Sequence, residues 1–455
     1  MPFFVKMRPQ AAFWPALLML GACGHDAPTE RNPGRAAPAA TQSTAAPAAS
    51  EAAAATASEA TKISQINVFV DMSGGMQGFV HPVDAGAAGS GFQQTVTELL
   101  SGVNAQRSRQ ATPPAYYFFK EKTAADPRLL VPSTYADMTA TISGGIRHAA
   151  RGSELPEMLR EALKRQAQRP GTVSLLISDF IFAPREKGET WKIKTFIKDA
   201  LSEVEASKLA VSVFANTSAY RGNFYPGNRT GPQALNGEKV PYYIWVLGSP
   251  ALVAQADAGL LRRLAAQPQA HYHVRFVPPY AVLDFFDPAG SWMLPEAAPG
   301  AVPTVVFTRK PTPGAPAEVT VGLRLGELPT SAVAGLNTKS LRLADGTATA
   351  TLLRVWSLAQ EPGAAAQPAL GQYTHFARLR FVQAPATRKT LALELARPTP
   401  AWVAGYSTGS DSNIKAQGAK TFHLDEVLAG VDDYFADEPS AQRVFSLPVQ
   451  VESRE

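Results

Sequence analysis

Ile66-Asn67-Val68-Phe69-Val70-Asp71-Met72-Ser73-Gly74-Gly75-Met76 is a nearly unbroken apolar run that ends in an acid, a hydroxyl and two glycines. A run without polar alternation belongs to a strand covered on both faces, which places it at the centre of an α/β sheet. Its polar residues then fall at the C-terminal end of the strand, where open α/β sheets bind their ligands. A carboxylate and a hydroxyl two residues apart, on a turn that glycine permits, are hard oxygen donors suited to a cation such as Mg²⁺.

Outward from this stretch, strands alternate with helices from residue 63 to about 280. Phe92, Val96, Leu99, Leu100 and Val103 recur on one helical face. Leu155, Leu159, Ala162 and Leu163 form a second stripe, with Ser153 placed to cap it. Ile193, Phe196, Ile197, Ala200, Leu201 and Val204 form a third, and Ser249-Pro250 reads as the N-cap and first residue of a fourth helix. Between them, 115–119, 173–178, 209–215, 243–247 and 271–277 read as strands, the second of these ending at Asp179. Alternation of this kind implies an α/β fold with a doubly wound, mostly parallel, Rossmann-like sheet over 63–285.

The start of the chain addresses this domain to a membrane surface. Lys6 and Arg8 precede an apolar stretch, 11–20, that is too short to span a bilayer and suits a signal-peptide core. It closes on Leu20-Gly21-Ala22-Cys23, which resembles a bacterial lipobox. The resemblance implies a leader over 1–22, cleavage before Cys23 and a diacylglycerol on its thiol. Gly24 rather than Asp after that cysteine points to the outer membrane of a cell that has one. Residues 23–62 are rich in Ala, Pro, Ser and Thr and lack aromatic residues. They cannot bury enough apolar surface to fold and read as a disordered tether, with a reach on the order of 30–40 Å. Cys23 is the single cysteine, so a mature chain has no disulfide to form and no free thiol for catalysis.

The second half changes period. Short strands are expected at 304–308, 319–325, 340–343, 347–356, 375–381 and 390–395, with Pro and Gly between them. Alternation is plain in Ala377-Arg378-Leu379-Arg380-Phe381. This is the pattern of a β-sandwich over 286–405. Within 406–455, Leu424, Val427, Leu428, Val431, Tyr434 and Phe435 restore a helical stripe, expected to dock back on the first domain.

The residues of the first domain resemble a von Willebrand factor A domain, whose metal-ion-dependent adhesion site joins an Asp-x-Ser-x-Ser loop to a Thr and a later Asp. Asp71 and Ser73 match the first two loop positions, and Gly75 stands where the third, a Ser, is expected. Ser153 falls where the family has its Thr, and Asp179 matches the Asp that ends the fourth strand. The resemblance implies Mg²⁺ held by Asp71, Ser73, Ser153 and Asp179, with waters filling the place lost at Gly75. It implies further that a partner protein's Asp or Glu carboxylate completes the shell. Each residue also has a simpler use: the two acids can bond loop amides, Ser153 can cap its helix, and the glycines can serve a tight turn.

Other signals are weaker. Gly405-Tyr406-Ser407-Thr408-Gly409, followed by Asp411 and His423, matches a Gly-x-Ser-x-Gly elbow, but a polar, loop-like stretch follows where a helix is required. His271 and His273 would share a strand face, yet a zinc pair needs a third ligand that nothing nearby supplies. No glycine-rich phosphate or dinucleotide loop occurs. The formal charge of +5 is spread along the chain without a basic block, which gives nucleic-acid binding no support. The expectation is therefore a lipid-anchored envelope protein that binds another protein; a hydrolase using the sheet-end carboxylates or Ser407 is the alternative.

Overall fold

A computed structural model describes residues 62–81, 89–124, 126–147, 149–150, 152, 154–182, 189–298, 300–333, 335–345, 350–361, 363 and 367–454. Cys23, the tether up to residue 61 and Ser153 lie outside the described residues.

The opening stretch forms β1 (Gln65–Asp71), buried at every residue. With β2 (Ala115–Phe119), β3 (Leu130–Ser133), β4 (Thr172–Ser178), β5 (Ala210–Phe224), β6 (Gln233–Gly248) and β7 (Gln269–Tyr272) it makes a seven-stranded sheet. The spatial order is β3-β2-β1-β4-β6-β5-β7. β1 lies between β2 and β4 and runs parallel to both. The remaining pairings are antiparallel. The fold is thus mixed α/β. The parallel reading holds for the three central strands, while a long hairpin departs from it. β5 and β6 follow one another through residues 225–232 and pair along nearly their whole length, which only antiparallel strands can do. β6, not β5, then takes the place beside β4.

Helices cover both faces, because alternate residues of each strand point to opposite sides. α1 (Gly74–Gln77), α2 (Gly91–Ala105), α3 (Tyr135–Gly144), α4 (Leu155–Ala167), α5 (Ile193–Leu201) and α6 (Pro250–Ala258) belong to this domain. Ile66, Val68 and Val70 pack with α2, α3 and α6. Phe69, Leu176 and Trp245 pack with α4 and α5 on the other face. The five apolar positions read on α2 are all buried, and Ser90 closes its first turn with a capping box to Gln93. Ser249 does stand at the N-cap of α6, but its side chain makes no capping bond.

The strand expected at 271–277 ends at Tyr272. His273 has φ +57°, a left-handed conformation that breaks the extended chain.

The second half supplies β8 (Tyr280–Leu283), β9 (Trp292–Met293), β10 (Thr304–Phe307), β11 (Ala317–Leu323), α7 (Thr330–Val333), β12 (Leu341–Ala344), β13 (Ala350–Ser357), β14 (His375–Phe381) and β15 (Lys389–Ala396). The chain then passes α8 (Val403–Tyr406), β16 (Ser407–Thr408), α9 (Ile414–Gln417), β17 (Thr421–Phe422), α10 (Leu424–Tyr434) and β18 (Arg443–Ser453). One sheet runs β12-β15-β18-β10-β9 and another β13-β14-β11-β8. Phe307, Leu393 and Val449 of the first share one core with Val319, Leu379 and Phe381 of the second, which is the two-sheet packing expected of a sandwich.

Two boundaries move. β8 already belongs to the sandwich, before residue 285. The last fifty residues divide: Leu424, Val427, Leu428, Val431 and Phe435 enter the core beneath the first sheet, whereas β18 runs between β15 and β10 in the sandwich. Each of those five side chains contributes about 1.5–3 kcal/mol by leaving water, so α10 is an integral layer of the first domain.

Candidate functional site

The loop after β1 is built around Asp71, which is fully buried. Its Oδ1 accepts the Ser73 amide at 2.8 Å, closing the turn, and its Oδ2 accepts the Ser178 hydroxyl at 2.7 Å, tying the end of β1 to the end of β4. Gly74 N–H donates to Ala150 at 2.8 Å, and Ala150 N–H donates to Met72 at 2.8 Å. The chain ahead of α4 is thereby stitched to the Asp71 loop. Gly152 and Glu154, the neighbours of Ser153, both line the cleft that opens here.

Asp179 follows β4 directly. Its Oδ1 accepts the Ile181 amide at 3.1 Å, which turns the chain away from the sheet. Phe180, between them, has φ +54°, a conformation a bulky side chain adopts at a cost of order 1–3 kcal/mol. Its ring stacks on Trp245 at 4.6 Å and is buried, which offsets that cost and fixes where Asp179 points. Among the described residues no hydrogen bond reaches Asp179 Oδ2. That oxygen lies against Gly75: a Cβ there would stand 2.3 Å from Asp179 Oδ2 and 3.6 Å from Ser73 Oγ. The position expected for a third hydroxyl is therefore filled by the acid itself.

Asp179 is 3% exposed. Burial, reinforced by the charges of Asp71 and Asp411, pushes its carboxyl up to about 8. Two interacting carboxylates without water need a positive partner or a shared proton.

The site opens into a cleft of about 860 Å³. Ser73, Gly75 and Asp179 form its floor, and Phe182, Phe196 and Tyr225 form apolar walls. The connection between β5 and β6 makes one wall, and Asp411 holds it there. The Asp411 carboxylate accepts the amides of Gly227 at 2.6 Å and Asn228 at 3.2 Å. Phe422 packs at Gly227, where a Cβ would meet its ring at 2.5 Å.

The sequence therefore finds Asp71, Ser73 and Asp179, and the fold brings them together. Sequence reading misses Ser178, which sits beside Asp179 in the same strand end, and Tyr225, which only the long hairpin carries to the site. For Mg²⁺ the donors are of the right kind, all hard oxygens. They fall short of a shell in number, since Asp71 already accepts two bonds and the hydroxyl expected at position 75 is absent. No group of three or more His, Cys, Asp or Glu side chains able to hold a metal occurs among the described residues.

The other candidates come apart. Ser407 Oγ donates to Asp425 at 2.6 Å, and no hydrogen bond joins it to the His423 ring among the described residues. Asp411 is taken up by the hairpin, so the three do not form a relay. His271 Nδ1 lies 2.9 Å from Ser212 Oγ, while His273 faces the carbonyls of Ala206 and Leu209 and the Ser440 hydroxyl. The left-handed turn at His273 sends the two rings to different partners, which excludes a shared metal.

No protein-family model matches the chain, and neither a curated protein nor a solved structure matches it.

Proposed function

We propose that the protein is a cell-envelope lipoprotein, anchored through Cys23 and facing the periplasm or exterior from the outer membrane, that binds another protein through a von Willebrand factor A-like domain. The observation that carries the reading is Asp179 at the floor of an open cleft, with Asp71 fully buried behind it at the end of the adjacent parallel strand. The order β3-β2-β1-β4, with the acids on β1 and after β4, supports the likeness. No helix among the described residues is long and apolar enough to cross a membrane, which suits a lipid tether equally with other modes.

A cation here would displace the proton that Asp179 otherwise holds and relieve the repulsion between the two acids. Mg²⁺ on Asp71, Ser73 and Asp179, with Ser153 and waters, would accept a partner's Asp or Glu; a positive group carried by the partner would serve the same need. The chemistry supplied is electrostatic anchoring, surrounded by apolar contact with Tyr225 and Phe182.

The test is capture of partners from detergent-solubilised membranes by wild type and by Asp71→Asn, with and without chelator. A partner lost in the variant is the expected result. A partner retained by the variant moves the binding surface to the sandwich. Cys23→Ser should release the protein from the membrane fraction; a variant that stays there overturns the anchor.

A further inference from the structure

Resting on the reading of this cleft as a protein-binding site, we infer that it receives a basic side chain, the lysine or arginine of a partner segment, with the cationic head on Asp179. Two carboxyl groups that line the cleft have no counter-ion among the described residues, and Asp179 gives up its proton to solvent as the cation arrives. Asp179 is 3% exposed and keeps Oδ2 without a hydrogen bond, over the gap left by Gly75. Among the described residues Glu121 makes no ion pair, and its Oε2 lies toward Gly152, 3.9 Å from where a Cβ would be. Of the other charged residues lining the cleft, Glu154 and Arg229 each have an interaction of their own. Arg160 is paired with Glu157 and lies 3.8 Å from Glu203, and Lys192 is paired with Glu189.

The donor geometry favours an organic cation over a metal. Mg²⁺ demands near-octahedral oxygens at about 2.0–2.1 Å, whereas the floor offers one unengaged carboxylate oxygen and one hydroxyl. An ammonium or guanidinium needs only a carboxylate at the end of a slot and apolar walls for its stem. Phe182 and Phe196, edge to face at 6.0 Å, and Tyr225, 45% exposed, supply those walls. A guanidinium passing Tyr225 also gains from the ring face. The cleft volume of about 860 Å³ admits such a side chain together with its flanking backbone.

The test titrates the full-length lipoprotein in detergent with acetylated, amidated pentapeptides, Ala-Ala-X-Ala-Ala, where X is Arg, Lys, Glu or Gln. The expected result is saturable binding of the Arg and Lys peptides, at least tenfold weaker in Asp179→Asn and severalfold weaker in Glu121→Gln. Glu121 lies on the surface of the cleft, so its variant reports on charge where the Asp179 variant is misfolded. Mg²⁺ should compete with the basic peptides. Binding of the Glu peptide alone, and only with Mg²⁺, overturns this inference and leaves the protein-binding reading intact. No saturable response to any peptide also overturns it, and the protein-binding reading then stands or falls on the membrane capture with Asp71→Asn.

Discussion

The Asp179 carboxylate fills the space that a side chain at Gly75 would need, with Oδ2 only 2.3 Å from an ideal Cβ. The glycine is a packing requirement of this particular loop. Restoring a hydroxyl by Gly75→Ser should therefore fail to strengthen Mg²⁺ binding and should lower stability by about 1–3 kcal/mol through overpacking. Thermal unfolding with and without millimolar Mg²⁺ checks this. A variant that is as stable as wild type and gains stability from Mg²⁺ would show that Asp179 moves freely.

Burial of Asp179 predicts a pH dependence of a definite sign. The folded protein holds its proton up to about 8, whereas an exposed carboxyl titrates near 3.8. In that window the native state binds more protons than the unfolded chain, so stability falls as pH rises from about 4 to 8 and levels off above. The slope from this group is at most about 1.4 kcal/mol per pH unit. Denaturant unfolding at pH 5, 6.5 and 8 in chelator should show the decline in wild type, with a shallower one in Asp179→Asn. Equal slopes in the two proteins would refute the assignment.

Asp411 predicts the rigidity of the cleft wall. Asp411→Ala strips the buried amide of Gly227 and the part-buried amide of Asn228 of their acceptor and should cost about 2–3 kcal/mol. Hydrogen exchange at those amides should rise well before exchange in β1 or β4. Unchanged protection would mean that Phe422 packing alone holds the hairpin.

The seam between α10 and α5 predicts an unusual response to a helix-favouring substitution. A Cβ at Gly430 would stand 2.6 Å from the Lys194 carbonyl and 2.8 Å from Ile197 Cβ. Gly430→Ala gains about 1 kcal/mol of helix propensity and should still be destabilised by about 1–3 kcal/mol. Gly405→Ala, with nothing within 4 Å, is the matched control. Equal melting temperatures for the two variants would contradict the close packing.

Much of this architecture is legible in the sequence because its signals are local. The unbroken run of β1 and the stripes of α2, α4 and α5 each announce burial by period alone, and Asp71, Ser73 and Asp179 follow from strand ends. What escapes is set by pairing at a distance. The outer half of the β5–β6 hairpin carries polar residues such as Asn216, Thr217 and Asn236, so it has no apolar rhythm to betray it, and with it Tyr225 is lost. β18 holds Pro448, which argues against an interior strand. It is tolerated because β10 begins to pair only at Gln450, leaving that position one neighbour, β15. The left-handed backbone at His273, with φ +57°, likewise has no signature in residue type.

The divided destiny of residues 424–453 has a consequence for biogenesis. While the ribosome is still making this segment, the α/β layer lacks α10 and the sandwich lacks an interior strand, so neither half can reach its native state in turn. A chain of this design stays open until its final stretch emerges, which makes both halves dependent on one late event.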